Sequence, residues 1–195
     1  MLTQLLNWDT ELFVFFNQLG SERWDWLWLT ITNKWASVPL YILLLYQVFK
    51  RYGLRGTAVV LISTAGMIAL SDQVTYFMKH SIGRPRPCQV ESLKPYIRYI
   101  ATDCGRYGYI SAHAASSTAL AVFLSCCLRK KLRFLPVVLI SWALLVSYSR
   151  IYVGVHYPLD VISGIGFGVF TGWIFFKLQK WAQLKYNPHL RPLIQ

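Results

Sequence analysis

Acidic residues are scarce in this chain. Only 8 Asp and Glu stand against 20 Lys and Arg, and charged residues of both signs fill 14% of the 195 positions. So little charge, beside 55% hydrophobic and 16% aromatic residues and a mean hydropathy of +0.38, excludes an ordinary soluble domain and points to a polytopic membrane protein. Asp, Glu, His and Cys nowhere recur at metal-ligand spacing, so the expected chemistry uses neither a metal nor another cofactor. A cleavable leader is not evident either. Asp9 and Glu11 interrupt the first twenty residues, with no basic segment before them and no small-residue cleavage site. Cysteine is limited to four residues, of which Cys126 and Cys127 sit in an apolar run as packing residues. Cys88 and Cys104 flank a polar stretch that a bridge could pin, a pairing that spacing alone leaves open.

What the chain does have is long apolar runs and an excess of cations. The net charge of +12 would suggest nucleic acid in a soluble protein. Between apolar spans it suggests anionic headgroups and a phosphorylated lipid substrate instead, with no nucleic acid partner. Five runs have the length of about twenty residues that a bilayer core demands: 26–49, 57–78, 110–128, 134–152 and 159–181. Lys34 lies in the outer part of the first and must snorkel or face protein. Residues 1–20 place Leu and Phe at spacings near three and four, interrupted by Trp8, Asp9 and Glu11. That pattern predicts an amphipathic helix in the interface, or a sixth helix of the bundle. The predicted fold is therefore all-α, a polytopic transmembrane bundle formed as one domain over 1–195, with 186–195 a cytoplasmic tail. Gly164, Gly168 and Gly172 recur every fourth residue, which suits close helix packing. The basic loop Arg129–Arg133 reads as cytoplasmic, placing the opposite loops outside an inner membrane.

Those opposite loops carry three polar clusters. The first, Lys79-x6-Arg86-Pro87, supplies two cations, and Pro85 and Pro87 stiffen the intervening loop. Arg84 within it fits either a substrate contact or a solvated basic loop. The second, Ser111-Ala112-His113, stands where an N-cap would open the third span. Its exposed amides would favour an anion. The third, Ser149-Arg150-x5-His156-x3-Asp160, places a carboxylate one helical turn from an imidazole. Such a carboxylate fixes the tautomer and leaves the other ring nitrogen basic and able to attack phosphorus. Arg86 and Arg150 offer planar forks to phosphate oxygens, and Lys79 a point charge. Asp72, seven residues before Lys79, shares nearly its helix face and fits either a supporting bond to the site or a bond between helices. His80 and His189 lack partners at useful spacing.

These residues resemble the type 2 phosphatidic acid phosphatase superfamily of integral-membrane lipid phosphatases, whose motifs are Lys-x6-Arg-Pro, Pro-Ser-Gly-His and Ser-Arg-x5-His-x3-Asp. The first and third match at every defined position. The second departs twice, with Ile110 for Pro and Ala112 for Gly, while Ser111 and His113 remain. The resemblance implies a bundle of about six helices with the site at the outer membrane face. It makes His156 the nucleophile, Asp160 its orienting partner and His113 the acid and later the base. Lys79, Arg86, Ser111 and Arg150 then hold the phosphate. Expected substrates are undecaprenyl diphosphate, phosphatidylglycerol phosphate, phosphatidic acid or lipid A phosphates. Lys94, Arg98 and Arg106, in the stretch over the site, suit a second anionic group. Vanadium haloperoxidases share this constellation but are soluble, which the apolar runs oppose. The alternative outside catalysis is a phospholipid-binding or transport protein using the same cradle. Sequence leaves the oligomeric state open.

Overall fold

The computed structural model describes residues 1–129 and 131–186. Helices follow in the order α1 (Leu2–Gln18), α2 (Glu22–Thr32), α3 (Val38–Ile82), α4 (Ala112–Leu128), α5 (Leu135–Tyr152) and α6 (Pro158–Tyr186). Short 3-10 turns occupy Lys34–Ser37, Pro87–Gln89 and Glu91–Tyr96. Among the described residues there is no strand, only an isolated bridge between Pro85 and Tyr107. His189 and Lys130 lie outside the described residues, as does all of the predicted tail except Tyr186.

The stretches Lys34–Ile82, Leu135–Tyr152 and Pro158–Tyr186 are long and apolar enough to cross a membrane. Ile42, Ile62, Phe77, Val137, Ile162 and Phe170 all point outward and are exposed. In water such a surface would drive aggregation; in a bilayer it meets lipid tails, and the protein is a membrane protein. Apolar α4 is shorter and largely buried at the centre of the bundle.

One helix break departs from the predicted runs, and a second falls in the gap predicted between the runs 26–49 and 57–78. The run 26–49 is interrupted at Asn33, whose side chain accepts a hydrogen bond from Trp35 N at 3.0 Å and opens the Lys34–Ser37 turn. Apolar composition alone cannot reveal that break, because Trp35 and Ala36 continue the run. The second break is at Gly53, which adopts φ 63° and ψ −173° inside α3. Only glycine enters that conformation without strain. It divides α3 into arms that fold back, so that Tyr41, Leu44 and Val48 line the same cavity as Val60, Thr64 and Ile68. The second arm ends at Gly83, also at positive φ, whose N–H bonds Lys79 O at 3.0 Å.

Helices α4 and α6 pack tightest, along the glycine stripe. A Cβ on Gly164 would stand 2.6 Å from the Ser111 carbonyl oxygen and 3.1 Å from Ala114 Cβ, whereas one on Gly166 meets nothing within 4 Å. Gly164→Leu is therefore expected to lower stability by about 1–3 kcal/mol, and Gly166→Leu to stay within about 0.5 kcal/mol of the parent. Thermal unfolding in detergent, followed by labelling of buried Cys127, checks the pair. Equal midpoints would refute the close packing.

Helix α1 is more than an amphipathic cover. Its buried face consists of Asp9, Phe13 and Asn17, at 3%, 0% and 0% exposure. The Asn17 amide reaches the carbonyls of Arg98, Ile151 and Tyr152 at 2.9–3.1 Å, and its oxygen accepts from Arg98 N at 2.7 Å. This ties α1 to the long α3–α4 loop and to the end of α5. Cys88 and Cys104 are bridged within that loop, their Cα atoms 6.3 Å apart.

Candidate active site

The functional side chains converge because four helix ends meet here. The last turn of α3 carries Lys79, and the rigid Arg84–Pro87 segment comes next. That segment is pinned to the far side of its loop by Arg86 N to Arg106 O at 3.3 Å and Gly108 N to Arg84 O at 2.9 Å. The end of α5 brings Arg150, whose carbonyl accepts from Val155 N and His156 N and so turns the chain back. The starts of α4 and α6 are joined by Ser111 N to the Asp160 carbonyl at 3.0 Å.

His156 lies at the centre and is 1% exposed. Its Nδ1 is 3.3 Å from Asp160 Oδ2, which also accepts from Tyr157 N at 3.1 Å. An ionised carboxylate only accepts, so Nδ1 carries the proton and Nε2 keeps its lone pair. Burial above all, then the charges of Arg86, Arg150 and Lys79, hold the His156 imidazole well below its usual pKa. That direction favours the neutral form of the ring, with its Nε2 lone pair free.

Those three cations stand within electrostatic reach of one another and of the ring. Arg86 is held through Nε by the Tyr107 carbonyl at 3.0 Å. Arg150 is 8% exposed and donates from Nη1 to Thr32 Oγ1, while its buried Nε has no protein partner. Like charges gathered near one buried ring repel one another, an arrangement whose chemistry suits a group with several negative oxygens. Asp160, the carboxylate that touches His156, is itself engaged by Arg84, Nη1 to Oδ1 at 3.0 Å.

The second histidine stands beside a cavity of about 360 Å3, which His113 lines with Lys34, Asp72, Ala112, Ser116 and Trp142. His113 is within electrostatic reach of His156, Arg150 and Lys79. A second cavity of similar size shares Tyr41, Ile68 and Leu120 with the first and continues between the arms of α3 and α4 along Leu44, Val48 and Leu124. The two cavities thus adjoin, the one at His113 lined by polar and apolar residues and the other almost wholly apolar.

Not every candidate points at the same centre. Ser111 is fully buried, and its hydroxyl accepts from Ala114 N at 3.5 Å as the α4 cap. Arg84 turns away from the cations, its Nη2 bonded to Asp9 Oδ2 at 2.6 Å and its guanidinium 3.9 Å from the Tyr157 ring centroid. Asp72 is exposed and lines the cavity at His113. Arg98 is engaged by Asp25 at 2.8 Å and Lys94 by Glu91 at 2.6 Å. His80 Nδ1 donates to Tyr76 O at 2.8 Å. Among the described residues no three His, Cys, Asp or Glu are grouped to hold a metal ion.

Sequence reasoning missed Asp9, Thr32 and Gly108. Asp9 and Asn17 share a helix face with Phe13 at four-residue spacing, and polar residues on a face that should bury were the available signal. Gly108 had none. A Cβ there would lie 2.8 Å from Asp160 Oδ2, a contact made across the fold.

Comparison with known proteins places this geometry. The profile of the PAP2 superfamily matches residues 60–184. The chain is 36% identical over 179 residues to the lipid A 4'-phosphatase of Bacteroides thetaiotaomicron, covering 90% of this chain and 79% of that one. It is 30% identical over 185 residues to the undecaprenyl-diphosphatase of Sulfolobus acidocaldarius, covering 93% and 84%. Among solved structures, Aquifex aeolicus LpxE superposes with a TM-score of 0.68 at 25% identity, covering 86% of this chain and 94% of that one.

Proposed function

The chain belongs to the PAP2 superfamily, and on that premise we propose that it is a membrane lipid phosphatase acting through a phosphohistidine, with a lipid A-type phosphate as its leading substrate. The observation that carries this is the buried, neutral His156, backed by Asp160 and faced by Lys79, Arg86 and Arg150. Binding alone needs only the cations; an oriented imidazole among them is what nucleophilic transfer needs.

In the first step His156 Nε2 attacks phosphorus, the P–N bond forms and the ester P–O bond breaks. His113 gives its proton to the departing oxygen. The Asp160 carboxylate offsets the positive charge that develops on the ring, and the three cations offset charge on the phosphoryl oxygens. In the second step His113 takes a proton from water, the new O–P bond forms, the P–N bond breaks and His156 is regenerated. The reaction is proposed to need no metal, since the cations supply the charge stabilisation.

The adjoining cavities support a lipid substrate. A phosphate at His156 would leave the rest of its headgroup near His113 and Lys34, and a hydrocarbon chain would lie along Leu44, Val48 and Leu124. Likeness to the Bacteroides enzyme over most of both chains favours a lipid A 4'-phosphate. Likeness to the Sulfolobus enzyme favours undecaprenyl diphosphate as the second reading. We place the protein in the inner membrane with the site outward. The Cys88–Cys104 bridge suits an oxidising compartment, and Arg129, Lys131 and Arg133 lie at the end of α4 opposite the site. The chain acts as one domain.

Phosphate release from lipid A, undecaprenyl diphosphate, phosphatidylglycerol phosphate and phosphatidic acid, measured with chelator present, tests this reading. Chelator-resistant release, greatest from lipid A, is expected. Release from none of the four would overturn it.

A further inference from the structure

The side chain that orients the nucleophile is itself held by a second carboxylate from the far end of the sequence. Asp9, on α1, is 3% exposed. Its Oδ1 accepts from Leu159 N at 2.8 Å, at the open start of α6, and its Oδ2 accepts from Arg84 Nη2 at 2.6 Å. Arg84 Nη1 then donates to Asp160 Oδ1 at 3.0 Å, and Asp160 Oδ2 faces His156 Nδ1 at 3.3 Å. Four side chains therefore form one file, Asp9–Arg84–Asp160–His156, with alternating charge until the neutral ring.

The physical need is clear from burial. Asp160 is 0% exposed, and a carboxylate so placed tends to take up a proton unless a cation faces it. A protonated Asp160 could not offset an imidazolium. Arg84 supplies the cation, but a fork bonded at one end is free to rotate toward the phosphate, where three cations already stand. Asp9 occupies the other end and sets the plane of the fork. The Tyr157 ring lies against the guanidinium, and Phe13 packs on Tyr157 with ring centroids 5.4 Å apart, which locates α1 over the pair.

We infer that Asp9 and Arg84 are positioning residues for the reaction, acting through Asp160 to keep the His156 nucleophile oriented and its developing charge balanced. Asp9 lies outside the 60–184 stretch matched by the family profile, so α1 supports the site from beyond that stretch. The inference rests on the phosphatase reading above.

The test compares Asp9→Asn, Asp9→Glu, Arg84→Lys and the Asp9→Asn/Arg84→Lys double variant, in full-length protein, on the lipid of the panel that the parent hydrolyses fastest. Asparagine keeps the shape and the bond to Leu159 N but turns a donor toward Arg84. The expected result is a fall in kcat of about 10- to 100-fold, the range for removing a group that holds an active side chain in place, with KM within about threefold. Partial recovery in Asp9→Glu and no further loss in the double variant are also expected, because both changes break one file. Phe13→Leu, which loosens the same helix without touching charge, separates orientation from docking. Parent-like kcat in Asp9→Asn would overturn the inference, and so would equal losses of kcat in Asp9→Asn and Phe13→Leu that track their thermal midpoints. An inactive parent would instead overturn the phosphatase reading and this inference with it.

Discussion

His156→Ala is expected to lower phosphate release by about 10^4-fold or more. No other group in the described site can take its place. The ring is buried and backed by Asp160, and the surrounding cations can stabilise charge but cannot attack. Binding should outlast catalysis, since Lys79, Arg86 and Arg150 remain. The variant should therefore still bind inorganic phosphate, measured by calorimetry, while releasing none from lipid. Turnover within tenfold of the parent would show that water is activated directly and that His156 is not the nucleophile.

His113→Ala is expected to act on a different half of the reaction. With an alkoxide leaving group it should lower kcat by about 10^2- to 10^4-fold, the range of general acid–base catalysis. With nitrophenyl phosphate, whose leaving group departs without a proton, formation of the phosphoryl-enzyme should survive while its hydrolysis still lacks a base. The variant should then accumulate an acid-labile phosphohistidine, visible by phosphorus NMR or by retention of radiolabel. Equal losses on both substrates and no trapped intermediate would remove His113 from both proton transfers. His113 lines the cavity, which His156 does not, and stands within electrostatic reach of His156; that separation is what makes the two variants distinguishable.

Much of this site is legible in the chain because its cations and histidines lie at helix ends in short motifs. His156 and Asp160 are four residues apart across the start of α6, where Asp160 in the first turn reaches back to Tyr157 N and His156, so their juxtaposition is local. Lys79 and Arg86 flank a glycine that ends one helix and a proline that stiffens the loop after it. The small residues of α6 likewise announce close packing. Arg84 resisted assignment for the opposite reason. Its partners are 75 and 76 positions away, and nothing local distinguishes an arginine that grips phosphate from one that grips a carboxylate. Asp9 was hidden in the same way, legible only as an interruption in an apolar helix. Ser111 shows a further limit: its spacing fits a phosphate ligand and a helix cap equally, and here its hydroxyl caps α4.

By itself, then, the sequence determined the apolar helical bundle, the loops that carry the polar clusters and the pairing of His156 with Asp160, since composition and short-range spacing control each of these. The tertiary structure decided the pairing of Cys88 with Cys104, the cavity beside His113 and the Asp9–Arg84 hold on Asp160. Each of those depends on which distant segments meet, and buried charges choose their partners by proximity after the helices have packed.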